Sequence, residues 1–407
     1  MNNPDPTASL PVRLRELAAL FLRLGTVSFG GPAVHIAMME TEIVRKRQWV
    51  TRQQFLDMLG AANLIPGPTS TEMAINVGFV RAGWAGLCAA GASFILPAAL
   101  ITGALAWAYV RFGTLPQATS VLGGIKPAVI AVIAIAVWRL GKTAVRNAGL
   151  AVLGGLSVAA FFFGLNPIAI LLGGGLVGML VRQARTFRRA AAPLLSLLVP
   201  CRAFSVSAVC RSWAVFVHPF GAVAVASVPI VASPSLGRIA LFFLRVGTVL
   251  YGGGYVLLAF LEQGLVLQHG WLTQQQLLDA VAIGQFTPGP VLSTATFIGY
   301  LLGGAPGAAV ATVAIFLPSF FYVALLAPVL FRLRQSVWMA AFLDSVNVCA
   351  VALMAGVTFR LAGNAMRGWP SWVIAVVALA VLLRWKVNPA WVALGGGAAG
   401  LMLALFR

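Results

Sequence analysis

The chain has 407 residues, of which 60% are hydrophobic and 9% charged, with a mean hydropathy of +0.94. Soluble globular proteins carry about 25% charged residues, so a soluble enzyme and a disordered chain are both excluded. Lys plus Arg number 28 against 9 Asp plus Glu, a net charge of +19. Most of that charge lies between apolar runs, where membrane topology explains it; no soluble basic domain exists to bind nucleic acid.

Residues 1–11 are polar and Pro-rich, without the apolar core of a cleavable signal peptide. Six apolar segments follow, roughly 14–39, 54–80, 83–110, 121–140, 148–164 and 166–181. Their lengths approach the 20 or so residues that span a bilayer core. The stretch 183–235 begins basic (Arg185, Arg188, Arg189) and then carries a loose apolar run from Trp213 to Ala232, interrupted by Pro219 and Pro229. One crossing there is left open. Six more segments follow at roughly 236–261, 276–302, 304–331, 340–361, 370–385 and 387–405.

The second set repeats the first. Arg23 to Gly31 reads almost as Arg245 to Gly253, and Trp49 to Asp57 as Trp271 to Asp279. From Arg23 to Pro68, 19 of 46 positions are identical at an offset of 222. Leu96-Pro97 matches Leu317-Pro318 and Asn166-Pro167 matches Asn388-Pro389. The chain therefore divides into repeats at 14–182 and 236–407 with a connector at 183–235.

Charge predicts how the repeats are oriented. The loop 40–53 holds Arg45, Lys46, Arg47 and Arg52, whereas its counterpart 262–275 holds no Lys or Arg. Related loops of opposite bias belong on opposite sides of the membrane. The expected fold is an all-α polytopic membrane protein: an inverted-topology internal repeat with broken or re-entrant helices and about 10–13 transmembrane segments.

Two segments in each half are poor plain helices. Segment 14–39 contains Gly30-Gly31-Pro32 and has basic flanks at both ends, which suggests a hairpin entering and leaving on one side. Segment 54–80 is interrupted by Pro66-Gly67-Pro68, and its copy by Pro288-Gly289-Pro290. Matching interruptions in two halves point to a transport site. The chemistry there suits an anion. Half-helices starting after Pro68 and Pro290 present free N–H groups. Thr69, Ser70, Thr71, Ser293 and Thr294 add hydroxyl donors. Gly30, Gly31, Gly252 and Gly253 permit close backbone approach. Arg23 and Arg245 place positive charge inside apolar runs, which suggests that they face the bundle interior or water.

Blander readings stand beside these. The arginines snorkel or pair with a carboxylate; the Pro-Gly-Pro runs are plain kinks. Glu72, whose counterpart is Thr294, is a proton or counter-ion site, or a structural partner of Arg23 or Arg81. His35 is more simply a packed polar residue than a proton carrier. Asp57 and Asp279 read as capping and dipole residues near their helix starts. The glycine runs 173–175 and 395–397 read as close helix packing. Cys88, Cys201, Cys210 and Cys349 show no metal spacing. No Walker A, HExxH or GxSxG motif is present, so no metal, cofactor or enzyme activity is expected.

At these residues the sequence resembles the chromate ion transporter (CHR) family in its long two-domain form. The resemblance rests on Phe29-Gly-Gly-Pro32, Trp49 with Asp57, Leu64-Ile-Pro-Gly-Pro-Thr-Ser-Thr-Glu72 and Phe94-Ile-Leu-Pro97. In the second half it rests on Tyr251-Gly-Gly-Gly-Tyr255, Gly270-Trp-Leu-Thr273, Gln285-Phe-Thr-Pro-Gly-Pro-Val291 and Phe316-Leu-Pro318. It implies export of chromate from the bacterial cytoplasm across the inner membrane, with sulfate a chemically similar anion, and two halves of opposite orientation. Tyr251 departs from the more usual Phe, and the connector is unlike a typical family linker. An anion channel, a carrier of another tetrahedral oxyanion and a membrane-embedded enzyme are the rivals; nothing supplies a nucleophile–base pair for the last. The expected partners are chromate or sulfate and the lipid bilayer, with a homo-oligomer left open.

Overall fold

The computed structural model describes residues 9–113, 115–195, 234–251, 254–326, 337–366, 368–385 and 387–405. The loose apolar run 213–232 lies outside these residues. All regular structure among the described residues is helical. In the first half the elements are α1 (Leu10–Val27), α2 (Pro32–Met39), a π-helical turn (Glu40–Lys46), α3 (Arg52–Ala62), α4 (Thr69–Phe112), α5 (Pro116–Ala144), α6 (Ala148–Phe162) and α7 (Pro167–Leu195). In the second they are α8 (Leu236–Val249), α9 (Leu257–Leu261), a π-helical turn (Glu262–Gln268), α10 (Gln274–Phe286), α11 (Thr294–Leu326), α12 (Val337–Ala365), α13 (Trp369–Arg384) and α14 (Pro389–Leu405).

The interruptions fall where Gly and Pro demand them. α1 ends at Val27, and Gly30 and Gly31 take φ of 110° and 83°, a region that L side chains resist. The chain then turns back, so that Trp49 returns to the start of α1. There Arg81 stacks on Trp49 at 4.8 Å and pairs with Glu16 at 2.9 Å. α3 stops at Ala62, ahead of Pro66-Gly67-Pro68, and α4 begins at Thr69. Thr51 and Thr273 cap α3 and α10 through N–H donation from Gln54 (3.2 Å) and Gln276 (3.1 Å), with each Gln answering the cap backbone. The capping role therefore belongs to Thr and Gln, and the expectation for Asp57 and Asp279 is corrected. Both stand six residues past the cap, beyond reach of the first free N–H groups.

α4 and α11 are each two helices. Ala82 and Gly83 leave helical geometry, with Gly83 at φ 60°; Gly303 and Gly304 do the same, with Gly304 at φ 62°. The arms then fold against each other. A Cβ on Gly78 or Gly86 would strike the carbonyl oxygen of the other, and Gly299 and Gly307 repeat the contact. Thr296 and Thr312 hydroxyls join the arms of α11 at 2.7 Å. The first arm of α4, 69–81, is only about 20 Å long at 1.5 Å per residue. That is shorter than the roughly 30 Å thickness of a bilayer core.

The halves interlock. α5 packs on α14 and α13 of the second half, while α12 packs on α7 and α6 of the first. Small residues allow it: Gly124 meets Gly396 and Gly400, and Gly175 and Gly178 meet Phe342, Val346 and Ser345 of α12. The glycine runs thus serve close packing. One apolar cluster joins α10, α11 and α12 to α5, α6 and α7; another holds α1, α3, α4 and the first π turn. The outer surface carries large apolar side chains, among them Trp138, Phe163, Phe359, Trp369 and Trp391. α4, α5, α11 and α12 contain stretches long and apolar enough to cross a membrane.

Candidate functional site

The two Pro-Gly-Pro breaks sit at the seam between the halves and exchange equivalent hydrogen bonds. Gly67 N–H donates to Leu250 O at 2.7 Å, just after α8. Gly289 N–H donates to Ser28 O at 3.0 Å, just after α1. Residues 28 and 250 are counterparts, as are 67 and 289, so each break of one half is held by the other break of its partner half. Both glycines have positive φ, 146° and 89°. Pro66, Gly67, Pro68, Pro288, Gly289 and Pro290 are all buried. Irregular backbone at such depth persists only where protein or a wet cavity satisfies it.

The side chains around the two breaks differ. At the first, a Cβ on Gly67 would collide with Glu72 Oε1 and Ser319 Oγ, so these two atoms flank one glycine from opposite halves. Glu72 is fully buried, and neither carboxyl oxygen has a hydrogen-bond partner; Thr71 Oγ1 and Ser319 Oγ have none either. Ser70 is buried and Thr69 half-buried. At the second break Ala98 replaces Ser319 as the neighbour of the glycine. There Thr294 Oγ1 donates to Val291 O at 2.8 Å, and Thr102 Oγ1 donates to Ser293 Oγ at 3.3 Å. Its hydroxyls are satisfied.

The helix break at 28–31 closes the group. His35 is buried, with Nε2 3.1 Å from Ser28 O and its ring edge-on to Phe94. A carbonyl only accepts, so that nitrogen carries the proton. His35 and Gly289 therefore share one acceptor. Asn388 Nδ2 donates to Phe29 O at 3.4 Å, and Gly30 lies beside the same Asn388 side chain. Gly252 and Gly253 lie outside the described residues.

Arg23 and Arg245 do not join this group. Both are exposed, on the outward faces of α1 and α8. Of the two expectations, the bundle interior is excluded for both by helix phase: Phe21 and Leu24, and Phe243 and Val246, occupy the inward positions. Arg23 lies near Glu42, whose carboxyl is held below its usual range first by the Lys46 hydrogen bond, with Arg23 and Arg47 adding their charge. Arg81 is committed to Glu16, so neither arginine partners Glu72.

Three residues near the seam escaped the sequence reading. Ser319 and Thr102 carry no signal beyond being hydroxyls in apolar helices. Lys126 does carry one: it is a cation near the start of the apolar run 121–140, next to Pro127 and 13 residues from the next cation, Arg139. It is buried and lies 2.8 Å from Asp279 Oδ1.

Comparison with known proteins agrees with this architecture. The family model for chromate transporters matches twice, over residues 15–179 and 237–401. A chromate transport protein of Cupriavidus metallidurans is 34% identical over 95% of this chain and 94% of its own length. A probable chromate transport protein of Synechococcus elongatus is 32% identical, covering 92% and 91%. One from Pseudomonas aeruginosa is 31% identical, covering 97% and 93%. No solved structure matches. The repeated match places the internal duplication within one family, whose members are transporters rather than enzymes. With a multi-pass helical architecture and two copies of the family's domain, the chain belongs to the chromate transporter family.

Proposed function

We propose that the protein carries chromate out of the bacterial cytoplasm across the inner membrane, with the anion passing the seam where the two Pro-Gly-Pro breaks meet. The observation that carries this reading is the reciprocal pair of hydrogen bonds, Gly67 to Leu250 and Gly289 to Ser28. It brings two broken helices from two halves to one place, with buried hydroxyls beside them. The relatives named for chromate transport support the substrate. Ser70, Thr71, Ser293, Thr294 and the N–H groups after each break replace the hydration of a tetrahedral oxyanion.

Physics favours outward flow. The cell interior is negative, and moving one charge through 100 mV is worth about 2.3 kcal/mol, so a dianion gains roughly twice that on leaving. Glu72, buried and without a counter-charge, is the candidate for coupling that flow to a proton; His35 is the weaker candidate, since its Nε2 proton is engaged. Arg23 and Arg245 act on the anion from exposed faces, as charges on its approach. The halves have opposite orientation, because loop 40–53 is basic and loop 262–275 is not.

Uptake of labelled chromate into everted vesicles tests the substrate and the direction. Export in the cell appears as uptake here, and its loss on collapsing the membrane potential is expected. Equal uptake of sulfate at equal concentration overturns chromate preference, and uptake that never saturates favours a channel. Cysteines placed by R47C and H269C, both at exposed positions, should label from opposite sides of the membrane. Labelling from one side refutes the inverted repeat.

A further inference from the structure

A second charged group joins the halves away from the breaks. Lys126 of α5 and Asp279 of α10 form an ion pair at 2.8 Å, with side chains only 9% and 3% exposed. Tyr109, in the second arm of α4, donates its hydroxyl to Asp279 Oδ2 at 2.9 Å. Lys126 stands ten residues into α5, about 15 Å along the helix axis. Among the described residues, Arg81 and Lys126 are the buried arginine and lysine side chains, and Arg81 belongs to the pair with Glu16.

This pair is not a relic of the duplication. The counterpart of Lys126 is Asn347, and the counterpart of Asp279 is Asp57, which is half-buried and accepts from Gln53 at 3.2 Å. An unmatched cation inside the membrane is costly, and such residues mark ion pathways. The pairing is also incomplete. Asp279 Oδ1 faces the Lys126 charge but receives no aligned hydrogen bond. Tyr109 leads toward the second break, because Thr102, two turns earlier on the same helix arm, touches Ser293.

We propose that Lys126 is the intramembrane cation that receives the transported dianion, and that Asp279 holds it until the anion arrives. This rests on the transport reading above. When the anion binds, Lys126 Nζ exchanges Asp279 Oδ1 for an oxyanion oxygen. Asp279 then faces a dianion without its cation, and like charges so close do not both stay ionised. It takes one proton from the aqueous phase on Oδ1, while Oδ2 keeps the Tyr109 hydrogen bond. Anion and proton thus bind together. Lys126 and Tyr109 are the charged and titratable groups that face Asp279 among the described residues. On the side of the second π turn, Glu262 is held at the start of α10 by Gln274 at 2.9 Å; α11, α12 and α14 place no charged partner against it.

The test is chromate binding to the full chain in lipid nanodiscs by titration calorimetry, above neutral pH, in buffers of different ionisation enthalpy. The wild type should take up about one proton per chromate. K126Q should weaken binding about tenfold or more. D279N should bind at least as tightly as wild type with no proton uptake. Where K126Q fails to fold, the neutral double variant K126Q/D279N replaces it, with the same weakened binding expected. Wild-type affinity in K126Q or the double variant overturns the proposal, as does unchanged proton uptake in D279N. Either result leaves chromate transport standing if the wild type binds chromate. A wild type that binds none removes the transport reading, and this proposal with it.

Discussion

The first and second Pro-Gly-Pro breaks share a backbone and differ in chemistry. Each break has a positive-φ glycine whose N–H crosses to the partner half, and each precedes a helix arm that doubles back at a Gly kink. Around that shared frame the first break carries Glu72, Thr71 and Ser319 with unpartnered oxygens, and the second carries hydroxyls that all have partners. The two π turns diverge in the same way. Glu40 lies in a basic loop with Arg45 and Arg52 at 3.8 and 3.9 Å, whereas its counterpart Glu262 is buried against Gln274. Duplication has kept the device that opens the backbone and let the charges around it specialise. Backbone geometry at a break tolerates few residues, while the neighbouring side chains are free to change.

The largest test of this comparison is on the shared part. G67A and G289A should each abolish chromate uptake and lower thermal stability markedly, since each puts a Cβ at positive φ against packed atoms. Backbone strain of about 1–3 kcal/mol and overpacking of similar size add at each site. Thermal unfolding in detergent and vesicle uptake measure both. A large loss at one glycine with none at the other breaks the equivalence.

An intermediate effect belongs to the part that differs. E72Q keeps the shape of the carboxyl and removes its titration, so uptake should persist with a weaker dependence on an imposed pH gradient than the wild type shows. T294V, at the matching position, should leave that dependence intact. The same gradient response in wild type and E72Q would remove Glu72 as the coupling group.

The smallest effects lie in the basic loop. R45Q and R52Q remove exposed pairs near 4 Å, and each should shift stability by less than about 1 kcal/mol. Glu42 sets the sign of the pH response there. Its carboxyl is held below its ordinary range by Lys46, so its contribution is present above about pH 4 and is lost as pH falls through the depressed value. The loss should be slight, because Lys46 is 60% exposed. K46Q should flatten that acid limb in a thermal unfolding series.

Much was legible from local signals. Pro66-Gly67-Pro68 and Gly30-Gly31 break helices wherever they occur, so both interruptions appear at the expected residues. The glycine runs read as packing surfaces and are packing surfaces. For Arg23 and Arg245 the sequence left the bundle interior and water both open, because an Arg inside an apolar run has the same signature whichever face of the helix carries it; the structure puts both on exposed faces. Asp279 was misassigned for a related reason. Its nearness to Thr273 in sequence suggested a cap, while its partner Lys126 lies 153 positions away and in the other half.

The sequence by itself determined a membrane protein written twice, broken at matched places and unevenly charged between its copies. Those properties depend on composition, on the length of apolar runs and on Gly and Pro, all of which act within a few residues. Only the tertiary structure decided that the breaks hold each other across the seam, that α5 and α12 exchange partners, and that Lys126 meets Asp279 while Glu72 meets no charge. Those properties depend on which faces come together when two halves interlock, and no local rule of chain geometry specifies that.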